Sequence, residues 1–148
     1  MKTKLLIFMS LLFIGFHSCE GSDSEIIFHQ SHEPSRANVL FSDAVETDNQ
    51  LFLTGQIGKD HKKGTLVPGG IEAETKQVIE NIIDVLKYHN LSLDQVVKCT
   101  VILKDINDFK AFNSVYSQYF TKKPARTTFA AAGLAGGASI EIDVIAAK

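Results

Sequence analysis

The chain has 148 residues, of which 45% are hydrophobic and 22% are charged, and its net charge is -2. This length fits one domain, which would bury roughly two thirds of the surface that the unfolded chain exposes. The basic residues form no dense patch, so the charge distribution gives no electrostatic argument for binding nucleic acid.

The N-terminus has the pattern of an export signal. Lys2 and Lys4 precede the apolar run LLIFMSLLFIGF, and the chain turns polar directly after Cys19. The run is shorter than the roughly 20 apolar residues that a membrane-spanning helix needs. Ser18 followed by Cys19 resembles the cleavage site of bacterial lipoproteins, in which the cysteine is lipidated and becomes the new N-terminus. A plain secretory signal and an uncleaved hydrophobic tail are the alternatives.

We therefore expect an exported, lipid-anchored protein of the cell envelope, facing the periplasm or the surface, that contacts the membrane only through a lipid on Cys19. Residues 1–19 are interpreted as the signal, residues 20–38 as a tether and irregular segment, and residues 39–148 as the folded domain. Within residues 20–38, the stretch 26–28 is a short apolar patch, and 31–38 contains Ser, Pro and Asn and is predicted to be irregular.

The domain is predicted to contain five strands and two helices. The helices cover 71–89 and 106–120, the second with Asn107 as its N-cap and with an aromatic stripe that faces the core. The strands cover 39–45, 50–56, 95–103, 125–131 and 139–147, the first two forming a hairpin, and 58–70 is predicted to be a loop. A single mixed sheet with both helices on one face accommodates this order, so the fold class is α+β.

Two helices cover only one face of such a sheet. The last strand carries apolar residues at both alternating sets of positions, such as Ile142 on one set and Ile145 on the other. An uncovered apolar face is an association surface, and a symmetric homo-oligomer is the usual way to bury it.

Several common chemistries find no support in the sequence. The histidines lack any spacing that is typical of metal ligands, so no metal site is predicted. Neither a phosphate-binding glycine loop nor a GxSxG motif occurs, and no cofactor is implied. If Cys19 carries lipid, Cys99 is left alone in a strand pattern and is interpreted as a small buried hydrophobe rather than a nucleophile.

Two charged residues interrupt apolar strand patterns near the C-terminus. Arg126 opens one strand and Glu141 lies within the next. If these strands are paired neighbours, the two side chains can converge on a small cleft that offers a cation to a ligand carboxylate and a carboxylate to a proton or a water. Spacing alone leaves other interpretations open, because Arg126 could form a structural ion pair and Glu141 could face solvent on an edge strand.

Two further residues are candidates of the same kind. Gly55 lies in the TGQ segment at positions 54–56, and Asn113 is a polar residue within the aromatic helix. Gly55 can equally be a turn or bulge glycine, and Asn113 can equally be a helix-surface or capping amide.

The segment PARTTFAAAGLAGGASIEI resembles the signature of the RidA/YjgF family, and LFLTGQIG, VVKCTVILKDINDFKAFN and the closing Y..YF match other family segments in order and spacing. The resemblance covers about 39–148. It implies a chorismate-mutase-like α+β fold, a homotrimer and ligand sites in the clefts between subunits. The resemblance also implies an activity: active members of the family hydrolyse enamines and imines such as 2-aminoacrylate and 2-iminobutanoate to 2-oxo acids and ammonia, without a cofactor.

The resemblance also implies roles for individual residues. The arginine that matches Arg126 binds the substrate carboxylate, and the glutamate that matches Glu141 holds or activates water. The glycine that matches Gly55 and the backbone at Thr128 line the same cleft, and Asn113 matches a recurring asparagine of the family. The ligand implied is a small imino or 2-oxo acid.

This chain departs from the family pattern at the cleft. Phe41 stands where a tyrosine is frequent, and Thr128 replaces a small residue or cysteine, so we expect deaminase activity with an altered substrate preference. The segment PSRANVLFSDAV matches poorly and forms the predicted outer wall. The alternative function is a non-catalytic protein of the cell envelope that binds small carboxylates or a partner in the same clefts. RNA cleavage, reported for some relatives, is disfavoured because the exported acidic chain lacks a basic footprint.

Overall fold

The structure is a computed structural model that describes residues 25–148. The predictions for the export signal, for Cys19 and for the first residues of the tether therefore lie outside the described residues. Neither helix of the described part of the chain is long and apolar enough to cross a membrane.

A six-stranded mixed sheet forms the body of the domain. Its strands run in the order β1-β2-β3-β8-β6-β7, and β4 and β5 form a separate two-stranded hairpin. The pair β6–β7 is parallel, and the other neighbours are antiparallel. The strands are β1 Ile27–His29, β2 Ala44–Glu46, β3 Gln50–Ile57, β4 Lys59–Asp60, β5 Thr65–Leu66, β6 Val96–Leu103, β7 Ala125–Ala130 and β8 Ile140–Ala147.

The two helices, α1 Gly70–Tyr88 and α2 Phe109–Tyr119, pack on one face of the sheet. Their apolar stripes explain this placement, because Val78, Ile82 and Phe112 are fully buried against the strands. The predicted α+β architecture is thus confirmed. The predicted bounds of α1 differ from the observed ones by one residue at each end.

Four local predictions were wrong or incomplete. The first strand of the predicted hairpin begins at Ala44 rather than at residue 39, and the apolar patch forms β1, which pairs with β2. The segment 58–70 contains the β4–β5 hairpin. Asn107 is not an N-cap: the backbone N–H of Asn107 donates to Oδ1 of Asp105 at 2.9 Å, so Asp105 is the capping residue of the short 3₁₀ turn before α2.

The opposite face of the sheet is uncovered within one chain. On β3, Leu51 and Leu53 face the helices and are buried, whereas Phe52 between them is 38% exposed. Phe129 on β7 is 45% exposed. This face is the uncovered apolar surface that the sequence predicts.

Cys99 lies on the helix-covered face and is completely buried. The hydroxyl of Tyr116 donates to its sulfur at 3.3 Å. Burial raises the pKa of the Cys99 thiol above its ordinary value, so little reactive thiolate is present at neutral pH. The interpretation of Cys99 as a buried hydrophobe is confirmed.

Candidate functional site

Arg126 lies on the edge strand β7 and points toward helix α2. Its neighbour in register on β6 is the buried Cys99, so the Arg126 side chain leaves the sheet on the helix-covered side. There its guanidinium carbon lies 4.6 Å from the ring centroid of Tyr116 and 5.1 Å from that of Phe112. Cation–π contacts of this kind hold the guanidinium in place without using its hydrogen-bond donors.

No carboxylate within residues 25–148 lies at ion-pair distance from Arg126. The arginine instead borders an open cavity of about 640 Å³, whose wall also includes Asn113, Ser117 and Lys123. A planar guanidinium suits a carboxylate, which it can bind through two parallel hydrogen bonds. Arg126 is therefore available to bind a small acid.

Glu141 lies on the central strand β8, with Ile57 of β3 and Ile102 of β6 as its partners in register. Its neighbours along the strand, Ile140 and Ile142, are buried beneath the helices, so Glu141 points to the uncovered face. Partial burial, and in second place the carboxylate of Asp143, raise the pKa of Glu141 above its ordinary value. A carboxyl group of this kind exchanges a proton closer to neutral pH.

Gly55 makes room for that carboxylate. A register shift between Leu53 and Gln56 marks a bulge in β3, and Gly55 lies within it. A Cβ at Gly55 would overlap with Oε1 of Glu141 and would lie only 3.0 Å from its Cδ. A residue with a side chain would thus displace the Glu141 carboxylate, so the role of Gly55 exceeds that of a bulge glycine.

Glu141 borders a cavity of about 410 Å³, here called the Glu141 cavity. Two residues of its wall were not predicted from the sequence. Arg36 and His61 line it together with Phe41, Gly55 and Glu141. Neither Arg36 nor His61 belongs to a recognisable motif. Arg36 lies in the segment before β2 that matches the family poorly, so its sequence context did not indicate a site.

Arg36 is held in that wall by two buried polar partners. Its Nη1 donates to Oε1 of Gln56 at 2.6 Å, and its Nη2 forms an ion pair with Asp43 at 2.7 Å. Its guanidinium carbon also lies 5.9 Å from the ring centroid of Phe41. The irregular segment before β2 is thereby fixed against the sheet, and a positive charge stands at the mouth of the Glu141 cavity.

His61, in the β4–β5 hairpin, is the second missed residue. Burial, followed by the positive charge of Arg36, lowers the pKa of its imidazole below the ordinary value, so His61 is neutral at pH 7. Its Nδ1 is buried and finds no hydrogen-bond partner in the part of the chain that the structure describes. The neutral imidazole therefore lines the Glu141 cavity with one buried nitrogen unpaired among the described residues.

Arg126 and Glu141 do not share a cavity within one chain. Their strands are not paired neighbours, because β6 lies between β7 and β8. Cys99 on β6 pairs in register with Arg126 on one side and with Val144 on the other, so Val144 faces the helices as Arg126 does. Glu141 lies three positions before Val144 on β8 and therefore points to the uncovered face. The two side chains could converge within one chain only if their strands were paired neighbours, and that condition is not met.

The other predicted residues divide between the two sides. Asn113 lines the Arg126 cavity, and Thr128 lies two positions after Arg126 on the same side of β7. Its Oγ1 is buried and unpaired among residues 25–148. Phe41 and Gly55 line the Glu141 cavity. The residues of the predicted site thus fall into two groups, its two half-sites, on opposite faces of the sheet.

The fold defines a class of small α+β proteins with a mixed sheet, two helices on one face and an uncovered opposite face. The family model described as Endoribonuclease L-PSP matches residues 30–148. The chain therefore belongs to the Endoribonuclease L-PSP family, and its resemblance to RidA/YjgF proteins is confirmed.

Individual relatives agree with this assignment. A goat (Capra hircus) protein named 2-iminobutanoate/2-iminopropanoate deaminase is 45% identical over 109 residues, which are 73% of this chain and 80% of the goat protein. The crystal structure of YEO7 from yeast is similar with a TM-score of 0.78 at 42% identity, covering 84% of this chain and 99% of that one. A structure of E. coli TdcF with bound serine has a TM-score of 0.71 at 27% identity, covering 74% and 89% of the two chains.

Proposed function

We propose that this protein is a cofactor-independent deaminase that hydrolyses enamines and imines of the 2-aminoacrylate and 2-iminobutanoate type to 2-oxo acids and ammonia. The observation that carries the proposal is that Arg126 borders a cavity without a carboxylate partner among the described residues. A partly buried carboxyl group, Glu141, lies on the face that would meet another copy. The name of the goat relative and the serine bound to the E. coli relative support the same substrate class.

A homotrimer would complete the site. In one chain the two half-sites face away from each other, so a cleft that contains both must combine Arg126 of one subunit with Glu141 of the next. The uncovered apolar face around Phe52 and Phe129 would provide the contact area. In a closed cyclic assembly every subunit gives its edge strand to one neighbour and its uncovered face to the other.

Arg126 would bind and orient the substrate. Its planar donors match the planar carboxylate of a 2-imino acid, and two parallel hydrogen bonds fix the position of the neighbouring imine carbon. The backbone at Thr128 would contribute on the same strand, and Asn113 would line the entrance. Lysine is a poor substitute, because a compact ammonium group cannot form the same fork.

Glu141 would manage water and protons. An enamine first gains a proton on its β-carbon to become an iminium ion. Water then adds to the imine carbon, and the resulting carbinolamine expels ammonia to leave the 2-oxo acid. Glu141 would accept a proton from the attacking water and return one to the leaving nitrogen, so the overall reaction consumes one water per ammonia released. General acid-base assistance of roughly 100-fold to 10,000-fold suffices, because imines hydrolyse unaided.

Phe41 and Gly55 would shape the side-chain end of the cleft. Phe41 offers an apolar ring beside Glu141 and has no hydroxyl to hydrogen-bond a polar substituent. We expect small apolar substrate side chains to be preferred over polar ones, since a buried polar group without a partner lowers affinity.

The test is a coupled assay with the full-length protein. A serine dehydratase would generate 2-aminoacrylate, and pyruvate and ammonia release would be followed with and without the protein. Acceleration that is lost in Arg126→Ala and kept in Lys123→Ala, a change in the same cavity, supports the proposal. If the protein binds 2-oxo acids but does not accelerate the release of pyruvate and ammonia, the deaminase proposal fails and the non-catalytic binding function is favoured.

We also propose the lipid-anchored envelope location predicted from the N-terminus. Metabolic labelling with a radioactive fatty acid should mark the wild-type protein and leave Cys19→Ala unlabelled. Equal labelling of both, or of neither, would contradict lipidation at Cys19.

A further inference from the structure

Two histidines and a glutamate meet at the edge of the sheet farthest from Arg126. His29 lies on β1, Glu46 lies on β2, and His89 directly follows α1. Ala44 is the register partner of His29, so Glu46 lies two positions along β2 and on the same side as His29. The end of α1 brings His89 against them.

The potential ligand atoms of these three side chains all lie within 4.8 Å of one another. Nε2 of His29 lies 2.7 Å from Oε2 of Glu46. The rings of His29 and His89 have centroids 4.5 Å apart and are inclined by 69°. Two imidazoles and one carboxylate thus point at a common volume.

We propose that His29, Glu46 and His89 form a binding site for a divalent transition-metal ion of the Zn²⁺ type. Two His and one Glu are a ligand set that suits Zn²⁺, and imidazole is a preferred ligand of this group of metals. In a tetrahedral site with metal–ligand distances of about 2.0–2.2 Å, two ligand atoms lie roughly 3.4 Å apart. The three ligand atoms here lie within 4.8 Å of one another, so side-chain rotations that draw them together by about 1 Å would complete the geometry.

The surroundings fit this assignment. Nζ of Lys148 lies 2.6 Å from Oε1 of Glu46, which orients the carboxylate and leaves Oε2 for the ion. Ligating carboxylates are commonly held in this way by an outer hydrogen bond. The ion would take the place of the hydrogen bond between His29 and Glu46.

The fourth ligand of such an ion would be a water molecule. A cavity of about 110 Å³ lies beside Glu46 and His89, with Leu51, Leu91 and Lys148 completing its wall. This volume accommodates a water molecule, which is the usual fourth ligand where a protein supplies three.

The consequence of binding would be structural. The ion would connect β1, β2 and the end of α1, three segments that are far apart in sequence. Because only the tertiary fold brings the three ligands together, the sequence shows no spacing that is typical of metal ligands. A metal that binds the folded state alone stabilises it in proportion to its free concentration.

The test uses the full-length protein, treated with EDTA, dialysed and titrated with ZnSO₄ in a calorimeter. We expect a saturable site that raises the melting temperature, and visible absorption bands when CoCl₂ replaces zinc. His89→Phe keeps an aromatic ring, and Glu46→Gln keeps hydrogen-bonding capacity; each should weaken Zn²⁺ binding at least about 10-fold, since loss of even outer-shell partners has that effect. His32→Ala, which removes a ring stacked on Tyr88, is the matched control and should bind like wild type.

The outcomes separate clearly. Loss of binding in the two ligand variants, whose melting temperatures with EDTA stay close to that of wild type, supports the site. Failure of the wild-type protein to bind zinc, or equal affinity in wild type, His89→Phe and Glu46→Gln, would overturn it, because any zinc would then be bound elsewhere.

Discussion

Arg126 and Glu141 project from opposite faces of one sheet, on strands that are separated by β6. The arginine points toward α2 and the glutamate points to the uncovered face. No side-chain rotation within one chain brings them into a common cleft. Under the proposed function, catalysis therefore requires at least two copies of the chain.

Complementation between two inactive variants tests this arrangement. Arg126→Ala and Glu141→Gln should each be inactive, but their co-expression should restore activity. In randomly mixed trimers about one quarter of the clefts would combine an intact Arg126 with an intact Glu141 from different subunits. The measurement is pyruvate release by the co-purified mixture, relative to wild type.

The control is a mixture of the separately purified variants under conditions that prevent subunit exchange, which should stay inactive. Persistent inactivity of the co-expressed mixture, despite mixed assemblies detected by mass spectrometry, would show that the two residues do not act across subunits.

Substitution of the arginine should mainly weaken substrate binding. Each of the two charged hydrogen bonds to the carboxylate is worth roughly 1.5 to 3 kcal/mol, so Arg126→Ala should lower kcat/KM by at least about 100-fold. Arg126→Lys should recover only part of this loss, because a single ammonium replaces the planar fork. Steady-state kinetics with varied amino-acid precursor would measure kcat/KM for both variants. An equal kcat/KM for Arg126→Lys and wild type would argue against bidentate binding.

Gly55→Ala should reduce activity through Glu141. The added Cβ overlaps with the Glu141 carboxylate, which would have to move away from β3. Gly133→Ala is a matched control, since a Cβ there meets no atom within 4 Å. We expect kcat to fall in Gly55→Ala and to stay at the wild-type value in Gly133→Ala. Unchanged kinetics in both variants would mean that the position of the carboxylate is unimportant.

Glu141→Gln should change how stability depends on pH. The pKa of Glu141 is higher in the folded state than its ordinary value, so the folded protein holds this proton more tightly than the unfolded chain. Stability from this group is complete below the unfolded pKa and is lost as pH rises through the folded pKa. The side chain introduced by Glu141→Gln cannot ionise, so this variant avoids the loss of stability at pH 7. The melting temperature of the variant minus that of wild type should therefore be larger at pH 7 than at pH 4.

Thermal melts at both pH values would measure this effect. Asp143→Asn is a useful companion, because it removes the secondary contribution and should lower the pKa of Glu141 toward its ordinary value. A melting-temperature difference between Glu141→Gln and wild type that does not vary with pH would contradict the raised pKa.

Local patterns predicted most of the fold. The helical spacing of Val78, Ile82 and Leu86 identified α1, and the β-branched run at 96–103 identified β6, because these elements bury regular apolar stripes. The region before β2 was misread as a strand. There the chain follows the buried contacts of Arg36 with Asp43 and Gln56, which depend on distant residues.

Local patterns could not predict that Arg126 and Glu141 lie on opposite faces of the sheet, although the family resemblance implied ligand sites between subunits. The residue types at positions 126 and 141 indicated acid binding and proton transfer, and family resemblance added their roles. Which face each side chain occupies depends on strand order, and β6 is inserted between two strands that are consecutive in the chain. Nothing in the local sequence of β7 or β8 encodes that insertion.

The uncovered face also has a consequence for newly made protein. The proposed trimer would cover this face, so each chain would display Phe52 and Phe129, together with Phe28 on β1, until the copies assemble. Exposed aromatic side chains are what chaperones and quality-control proteases recognise in unfinished proteins. A surplus of unassembled chains would therefore be removed, and the amount of working enzyme would follow the rate of assembly more closely than the rate of synthesis.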